Sequence, residues 1–337
     1  MTMLTRLADI STIGDSLPMA DAEAAAAARV RQNSLTKPPG SLGRLEQLAE
    51  FMAEWRATAR PEIWGAQALV FAGNHGICAQ GVNPYPQAVT AQMVANFQGG
   101  GAAINQLCAV NGAALSVIAL DLDRPTGDFT ERAAMSEEEC LDALNQGAAA
   151  VDLGADVLIL GEMGIGNSTV AAALAAACFG GPVADWVGAG TGSDTAGIAR
   201  KVDAIERGLA LHASTKGNAA AILAALGGRE QAAICGAVLA ARAARIPVIL
   251  DGFICTAAAA VLHAADPRLL DHCLVGHVSA EPGHRKLLDA IGKRPVLEFD
   301  MRLGEGSGAA LALGIVRAAL ACHNGMATFG EAGVSET

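Results

Sequence analysis

The chain has 337 residues, enough for one large domain or two unequal ones, and 52% of them are hydrophobic, which is ample material for a core. Its net charge of −11 and the lack of any basic stripe argue against a nucleic-acid-binding protein. An anionic substrate would therefore have to be bound by a few local cations and by helix N-termini.

The eight cysteines are scattered and form no C-x-x-C pair, so neither a zinc ribbon nor a disulfide framework is predicted. Reduced thiols are typical of the cytoplasm, where we expect this protein. The first nine residues lack the apolar core of a signal peptide. No uncharged apolar run reaches the roughly 18 residues that a membrane span needs. We therefore expect a soluble protein with no membrane partner.

Residues 1–60 are more polar than the rest of the chain and are predicted to be helical. We expect a helix over residues 21–32, a stiff proline- and glycine-containing turn over 35–43, and an amphipathic helix over 44–60. These helices would form a small subdomain that packs beside the main sheet.

After residue 61, apolar strands alternate with helices, and short glycine clusters separate them. The predicted strands are residues 68–72, 115–120, 157–160, 248–250, 274–275 and 295–300. The predicted helices cover 87–97, a segment from 102, 137 to about 153, an alanine-rich segment after 169, 194 to about 213, 253–265, a segment after 282, and 309–316. Such alternation predicts an α/β fold with a doubly wound, mainly parallel sheet that helices cover on both faces.

The turn that ends the last predicted strand carries the strongest candidate for catalysis. Glu305 lies there between Gly304 and Gly306, immediately before a predicted buried helix. Ligands of open α/β sheets bind beyond the carboxyl ends of strands, and glycines let the backbone approach a ligand closely. The sequence predicts no neighbouring side chain that would shield Glu305. The alternative is a solvated carboxylate that stabilises the start of the next helix.

A second turn, residues 161–169, contains Gly164 and Gly166 but lacks the third glycine of a dinucleotide-binding motif. A phosphate or ribose cradle is the better interpretation, with N–H donors from Gly166, Asn167 and Ser168 at a helix start. Glu162 beside it is a second candidate carboxylate, or a hydrogen-bonded structural residue.

Three further features have both a functional and a structural interpretation. Lys201, in the helix after the glycine-rich turn 188–194, could reach an anion or be a solvated surface lysine. Ser279 could donate to a phosphate or cap a helix. Histidines at strand ends suggest a metal, but no ligand pair of the expected spacing accompanies them. No G-x-S-x-G motif supplies a hydrolase nucleophile.

Four segments in this order resemble the nicotinate-nucleotide–dimethylbenzimidazole phosphoribosyltransferase family over residues 30–320 or so. They are T-K-P-P-G-S-L-G from Thr36, N-H-G from Asn74 with Y-P-Q-A-V-T from Tyr85, G-E-M-G-I-G-N from Gly161, and L-G-E-G-S-G-A from Leu303. The resemblance implies a homodimer with a Rossmann-like α/β domain over 61–325, a smaller helical domain built from 1–60 and C-terminal segments, and a tail over 326–337.

The family's reaction transfers 5-phosphoribose from nicotinate mononucleotide to dimethylbenzimidazole, giving α-ribazole 5′-phosphate for the lower ligand of cobalamin, and nicotinate. The nicotinate leaves from a pyridinium that is already positively charged, so the resemblance implies neither a metal nor a redox cofactor. One benzimidazole nitrogen attacks C1′, and a carboxylate of near-ordinary pKa can accept the proton of the other.

By the same resemblance, Glu305 is the catalytic base, with Glu162 as the next catalytic carboxylate to consider. The family motifs place around the nucleotide Glu162, Gly164, Gly166, Asn167, Ser168, Gly190, Thr191, Gly192, Lys201 and Ser279, and beside the benzimidazole Gln87 and Leu303. This chain has Ser307 where relatives often have threonine, and Asn74 where many have an acid.

Two other functions are compatible with such a site. A non-catalytic protein of the same fold could bind a nucleotide or a base, although it would not need an unshielded Glu305. A nucleosidase or phosphorylase could use the same cleft with water or phosphate as the acceptor.

Overall fold

The computed structural model describes residues 4–335, and its centre is one six-stranded sheet. The strands are β1 (Ala66–Ala72), β2 (Ala113–Ala119), β3 (Val157–Met163), β4 (Val248–Leu250), β5 (Cys273–Val278) and β6 (Pro295–Glu298). Their order is β2-β1-β3-β4-β5-β6, and every neighbouring pair is parallel. The predicted doubly wound parallel sheet is confirmed.

Helices connect and cover the strands. They are α1 (Ala22–Ser34), α2 (Arg44–Arg56), α3 (Ala88–Gln98), α4 (Ala103–Asn111), α5 (Glu137–Ala149), α6 (Asn167–Phe179), α7 (Thr195–Leu211), α8 (Ala219–Leu226), α9 (Arg229–Ala243), α10 (Phe253–Ala265), α11 (Gly283–Ala290), α12 (Ser307–Gly325) and α13 (Phe329–Ala332). A capping box opens α5, because Ser136 and Glu139 each accept the other's backbone N–H. No helix of residues 4–335 is long and apolar enough to cross a membrane.

The two faces of the sheet are buried in separate cores. Leu69 and Phe71 of β1 pack with the apolar side chains of α5, α6, α8, α9 and α10. Val70, whose side chain points the opposite way, packs with those of α2, α4 and α12. Because successive strand residues face opposite sides, a strand buried on both faces reads as a continuous apolar run.

Four elements differ clearly from the sequence-based prediction. Helices α8 and α9 were not predicted, because residues 219–243 are buried almost throughout and show no amphipathic period. Strand β3 continues to Met163, so Glu162 belongs to the strand and not to the turn. Helix α2 ends at Arg56, short of residue 60, because Ala57 adopts a left-handed conformation.

The first helices pack against the C-terminal helix. Helix α2 shares a core with α12. The guanidinium of Arg31, in α1, donates to the carbonyl oxygens of His323, Asn324 and Met326 at the end of α12. Segments from the two ends of the chain therefore lie together on one face of the sheet.

The strand order creates a crevice at the carboxyl ends of the strands. The connection from β1 leads outward to β2, whereas the chain then returns to place β3 on the other side of β1. The loops that follow neighbouring strands consequently diverge, and ligands of such sheets bind where this happens.

Candidate active site

A cleft that encloses about 730 Å³, including space open to solvent, lies at these carboxyl ends. Loops after β3, β4, β5 and β6 line it together with the turn before α7. The predicted site residues among its lining are Glu162, Gly164, Gly166, Asn167, Ser168, Gly190, Thr191, Lys201, Ser279 and Leu303. Segments distant in sequence thus meet around one cavity, as ligand sites at such sheet ends do.

Glu305 lies in a turn that is pressed against β3. Its backbone is left-handed (φ 65°), between Gly304 and Gly306, which both have φ 85°. The Glu305 N–H donates to the carbonyl oxygen of Glu162 at 3.3 Å. A Cβ on Gly161 would overlap the backbone of Glu305 and Gly306, so only glycine allows this approach. The turn therefore holds Glu305 directly beside Glu162, under the cleft wall at Gly304.

The expectation of an unshielded Glu305 was wrong. Its side chain is only 5% exposed, and Oε2 has no hydrogen-bond partner among residues 4–335. Burial, and then the charge of Asp251, raise the pKa of Glu305 to about 7. A carboxylate of near-ordinary pKa would be sufficient for the family's reaction, and the packing of the turn on β3 gives Glu305 a higher pKa. At neutral pH Glu305 exists in both protonation states.

Asp251, directly after β4, joins the Glu305 turn to the sheet. Its Oδ2 accepts the N–H of Gly306 and its Oδ1 accepts the N–H of Ala309, both at 3.0 Å. Asp251 is 1% exposed. The residue at the N-cap position of α12 is Gly306, which has no side chain, so Asp251 satisfies these helix N–H groups from another strand.

Glu162 is buried beside Glu305 and accepts a hydrogen bond from the side-chain amide of Asn167. Burial raises the pKa of Glu162 well above its ordinary value, and the negative charges of Glu230, Asp251 and Glu305 raise it further. These surroundings therefore disfavour the charged form of Glu162. Glu162 and Glu305 are therefore neighbouring carboxyl groups of different acidity.

Lys201 reaches the opposite wall of the cleft. Although 2% exposed, its Nζ lies among the lining atoms and donates to Ser168 Oγ at 3.2 Å and to the Gly188 carbonyl at 3.1 Å. An ammonium group has three donors, so one remains for a ligand. Burial lowers the pKa of Lys201, while Glu281 opposes that shift. The alternative of a solvated surface lysine is ruled out by this burial.

The start of α6 supplies backbone donors to the same wall. Gly166 precedes the helix with φ 94°, and Asn167 and Ser168 form its first turn. The Asn167 N–H donates to the Gly164 carbonyl at 3.2 Å, so the prediction that it is free for a ligand was wrong. The N–H groups of Gly166 and Ser168 and the helix dipole favour an anion. Across from them, the Gly190 N–H donates to Glu281 Oε1 at 2.9 Å, and Arg302 donates to the Gly190 carbonyl at 3.0 Å. The turn containing Gly190 is therefore tied to both neighbouring loops.

Ser279 is 7% exposed, and its backbone N–H donates to the ring of His284 at 2.8 Å. Its hydroxyl accepts the Glu281 N–H at 3.2 Å, which leaves the hydroxyl proton free for a ligand.

His277 also lines the cleft, whereas His75 is buried against Glu230. Residues 4–335 contain no group of His, Cys, Asp or Glu that could hold a metal ion.

Three predicted residues do not line the cleft. Glu305 lies just below it, Gly192 stands at the outer end of its turn, and Gln87 is half-buried and donates to the carbonyl oxygen of His75. Leu303 lines the cleft but is 58% exposed, so the cavity is open on that side.

The two departures from the family pattern both have structural contacts. The Ser307 hydroxyl donates to the Gly304 carbonyl at 2.7 Å and so fastens the Glu305 turn. The Asn74 amide donates to the Leu122 carbonyl at 2.9 Å, which joins the loops after β1 and β2.

Several lining residues were not predicted, namely Asn83, Met163, Gly252, Phe253, Ile254, Glu281 and Arg302. Asp251-Gly252 follows an apolar strand, as Glu305 does, and this position could have suggested Asp251 and its neighbours. Asn83 and Arg302 carry no comparable signal, since the tertiary structure alone brings them to the cleft.

Comparisons with known proteins agree on one family. A phosphoribosyltransferase family model matches residues 17–334. The chain is 68% identical to the nicotinate-nucleotide–dimethylbenzimidazole phosphoribosyltransferase of Rhodobacter capsulatus, covering 99% of this chain and 100% of that relative. A protein of the same name from Novosphingobium aromaticivorans is 59% identical, with 100% and 99% covered.

A solved structure has the same architecture. The crystal structure of the phosphoribosyltransferase of that name from Thermus thermophilus superimposes with a TM-score of 0.88 at 41% identity. The match covers 94% of this chain and 100% of that chain.

Proposed function

The chain belongs to the nicotinate-nucleotide–dimethylbenzimidazole phosphoribosyltransferase family, and we propose that Glu305 is the base of its transfer reaction. The enzyme moves the 5-phosphoribosyl group of nicotinate mononucleotide to dimethylbenzimidazole. Nicotinate is released, and α-ribazole 5′-phosphate is formed for the lower ligand of cobalamin.

The observation that carries this proposal is the Glu305 carboxyl group, which is buried beside the cleft, has an unpartnered Oε2 and has a pKa of about 7. As one benzimidazole nitrogen forms the bond to C1′, the bond from C1′ to the nicotinate nitrogen breaks and its electron pair leaves with nicotinate. The N–H on the other benzimidazole nitrogen becomes acidic, and Glu305 accepts its proton. A base whose pKa lies near the working pH is well suited to this transfer.

Glu162 serves the same reaction in its neutral form. Its carboxyl group is buried and has a raised pKa, which disfavours a second negative charge beside Glu305. The Asn167 amide fixes its orientation. Glu162 therefore acts as a hydrogen-bond donor toward the bound substrates, and Glu305 alone takes up the proton.

The phosphate of nicotinate mononucleotide is bound at the opposite wall. Lys201 supplies a positive charge, and Gly166 and Ser168 at the start of α6 supply N–H donors. The Gly164 backbone, the glycine-rich turn at 190–192 with Thr191, and the Ser279 hydroxyl surround the ribose and phosphate.

The benzimidazole lies against the apolar part of the cleft. Met163, Phe253 and Leu303 provide carbon-lined walls on which a flat neutral ring can pack. Gln87 is placed beside the base by the family resemblance alone, and its amide donates to the His75 carbonyl. Because Leu303 is largely exposed, a bound benzimidazole would cover it from solvent, and this apolar burial would favour binding.

We further propose that two chains form a homodimer, with 1–60 and the C-terminal segments as the small domain and 61–325 as the α/β domain. The packing of Arg31 against the end of α12 supports the joining of the two chain ends in one small domain. We propose a cytoplasmic enzyme.

Product analysis tests the reaction. The protein is incubated with nicotinate mononucleotide, with and without dimethylbenzimidazole, and the products are identified by mass. We expect α-ribazole 5′-phosphate and nicotinate only when the base is present. Ribose 5-phosphate without the base would indicate a nucleosidase, and ribose 1,5-bisphosphate formed only with added phosphate would indicate a phosphorylase. Binding without any product would indicate a non-catalytic protein.

A further inference from the structure

The Glu305 turn depends on a residue that lies outside the cleft lining. Glu305 is a non-glycine residue in a left-handed conformation, which costs free energy unless the surroundings hold it there. The Glu305 N–H is held by the Glu162 carbonyl, and two further N–H donors of the turn and helix, those of Gly306 and Ala309, are held by Asp251.

Both carboxylate oxygens of Asp251 are used in this way. A carboxylate is an acceptor-only group, so it can satisfy two N–H groups at once without a competing donor. The bonds span 55 and 58 residues of sequence, and they fasten the start of α12 to the end of β4. Any movement of Asp251 would be passed through Gly306 to the carboxyl group of Glu305.

Asp251 also acts on Glu305 through its charge. Both side chains are almost completely buried, at 1% and 5% exposed, so water screens their repulsion weakly. The charge of Asp251 is the second cause, after burial, of the raised pKa of Glu305.

The other groups around this pair lie on β3, α9, α10, β5 and α4, and the Cys255 thiol of α10 is close enough to Asp251 for the two charges to interact. Glu162 faces it from β3, with Glu230 of α9 behind Glu162. His277 of β5 places Nε2 3.4 Å from Asp251 Oδ1. On the α4 side, Ile104 approaches Gly306 with an apolar side chain. Asp251 differs from these groups because its side chain accepts a hydrogen bond from the turn and its charge also raises the pKa of Glu305.

We propose that Asp251 is a positioning residue for the transfer reaction: it fastens the Glu305 turn to the sheet and keeps Glu305 basic at neutral pH through its negative charge. This role rests on the proposed function of Glu305. It adds a determinant of base strength that touches neither substrate.

The test compares the pH dependence of kcat for the wild type and for Asp251→Asn and Asp251→Ser. Both replacements are neutral and can still accept a helix N–H. We expect the acid limb of the profile to move to lower pH by about one unit or more, as for removal of a nearby like charge. The plateau rate should fall as well, because a less basic Glu305 accepts the proton less readily. The substrates ionise in the same way with every variant, so a difference in the acid limb between variants comes from the protein.

Asp156→Asn is the matched control. Asp156 also accepts two backbone N–H groups, those of Trp64 and Gly65, but it lies before β3, at the opposite end of that strand. This variant should lose stability and leave the acid limb in place. If Asp251→Asn and Asp251→Ser behave like Asp156→Asn, Asp251 is only a structural cap and the proposal is wrong. Failure of both Asp251 variants to fold would overturn it too, since Asp251 would then be required for the fold itself.

Glu305→Gln, measured in parallel, separates this inference from the function on which it rests. An inactive Glu305→Gln with an unmoved acid limb in the Asp251 variants refutes the role of Asp251 alone. An active Glu305→Gln refutes the base assignment itself.

Discussion

At the scale of single residues, the site is governed by two carboxyl groups that share one buried environment. Glu162 and Glu305 are adjacent through the Glu305 N–H bond to the Glu162 carbonyl, and the charge of Glu305 raises the cost of ionising Glu162. Burial and the nearby negative charges raise the pKa of Glu162 well above its ordinary value. Glu305, with a pKa of about 7, changes its protonation state near neutral pH.

Replacing Glu305 with Gln tests its role as the base. The amide keeps the shape of the side chain but cannot accept the proton, so kcat should fall by about 10²–10⁴. Binding of both substrates should persist, because apolar packing and the phosphate contacts remain. Steady-state kinetics and calorimetric titration measure the two effects. Turnover close to that of the wild type would contradict the assignment and would direct attention to Glu162.

The same variant should alter the pH dependence of stability. The folded-state pKa of Glu305, about 7, lies above its ordinary value of 4.5, so the protonated form favours folding. The wild type therefore loses stability as pH rises from about 4.5 to about 7, by on the order of 3 kcal/mol at most. Glu305→Gln should unfold at higher temperature than the wild type at pH 8 but not at pH 4. Equal melting differences at both pH values would show that Glu305 titrates normally.

At the scale of secondary-structure elements, the site depends on how closely α12 approaches β3. Gly161 in the strand faces the backbone of Glu305 and Gly306 without a Cβ between them. A side chain at that position would push the start of α12 away from Asp251 and from Glu162. The opposite wall depends in the same way on α7, which carries Lys201 to the first turn of α6.

Gly161→Ala should therefore reduce both stability and activity. Its methyl group would overlap the turn backbone, and overpacking of this kind costs about 1–3 kcal/mol. Gly65→Ala is the control, since nothing lies within 4 Å of its added Cβ. Thermal unfolding and kcat should change only for Gly161→Ala. An unchanged kcat in that variant would mean that the Glu305 turn does not need its contact with β3.

Lys201→Ala should change the KM values of the two substrates by different amounts. Loss of the buried ammonium removes a charge from the phosphate region, so KM for nicotinate mononucleotide should rise about tenfold or more, as for a charge-assisted hydrogen bond. KM for the base should change little. Arg200→Ala is the control, because the neighbouring Arg200 points outward and donates to the Gly81 carbonyl. If both KM values rose equally with Lys201→Ala, this lysine would be structural.

At the scale of the whole molecule, one parallel sheet brings the carboxyl ends of its strands to a single edge. Glu162, Asp251 and Ser279 come from or follow different strands, and they meet because those strands are neighbours in the sheet. The outer surface also carries exposed apolar side chains, such as Trp64 and Val110, each 82% exposed. Exposed apolar groups of this size are compatible with association of chains.

The proposed homodimer is tested by sedimentation velocity. The chain has a mass of 34.0 kDa, and we expect a particle of twice that mass at micromolar concentration. Its sedimentation coefficient should not change on dilution within that range. A particle with the mass of one chain would contradict the dimer that the family resemblance implies.

The sequence by itself determined the fold class and the position of the principal carboxylate. Apolar runs punctuated by glycine-rich turns specify a parallel α/β sheet, since strands buried on both faces need no polar residues. Glycines on either side of Glu305 mark a turn at a strand end, because few other residues adopt that backbone. Lys201, Ser168 and Gly190 were also predicted from local patterns.

Only the tertiary structure decided the chemistry of that carboxylate. Whether Glu305 is exposed or buried depends on the absence of a Cβ at Gly161, and its charge environment depends on Asp251, 55 residues from Gly306 in the chain. Helices α8 and α9 escaped prediction for the same reason, because burial on all sides erases the local pattern. Local sequence encodes backbone conformation, whereas burial and electrostatics arise between segments that meet only on folding.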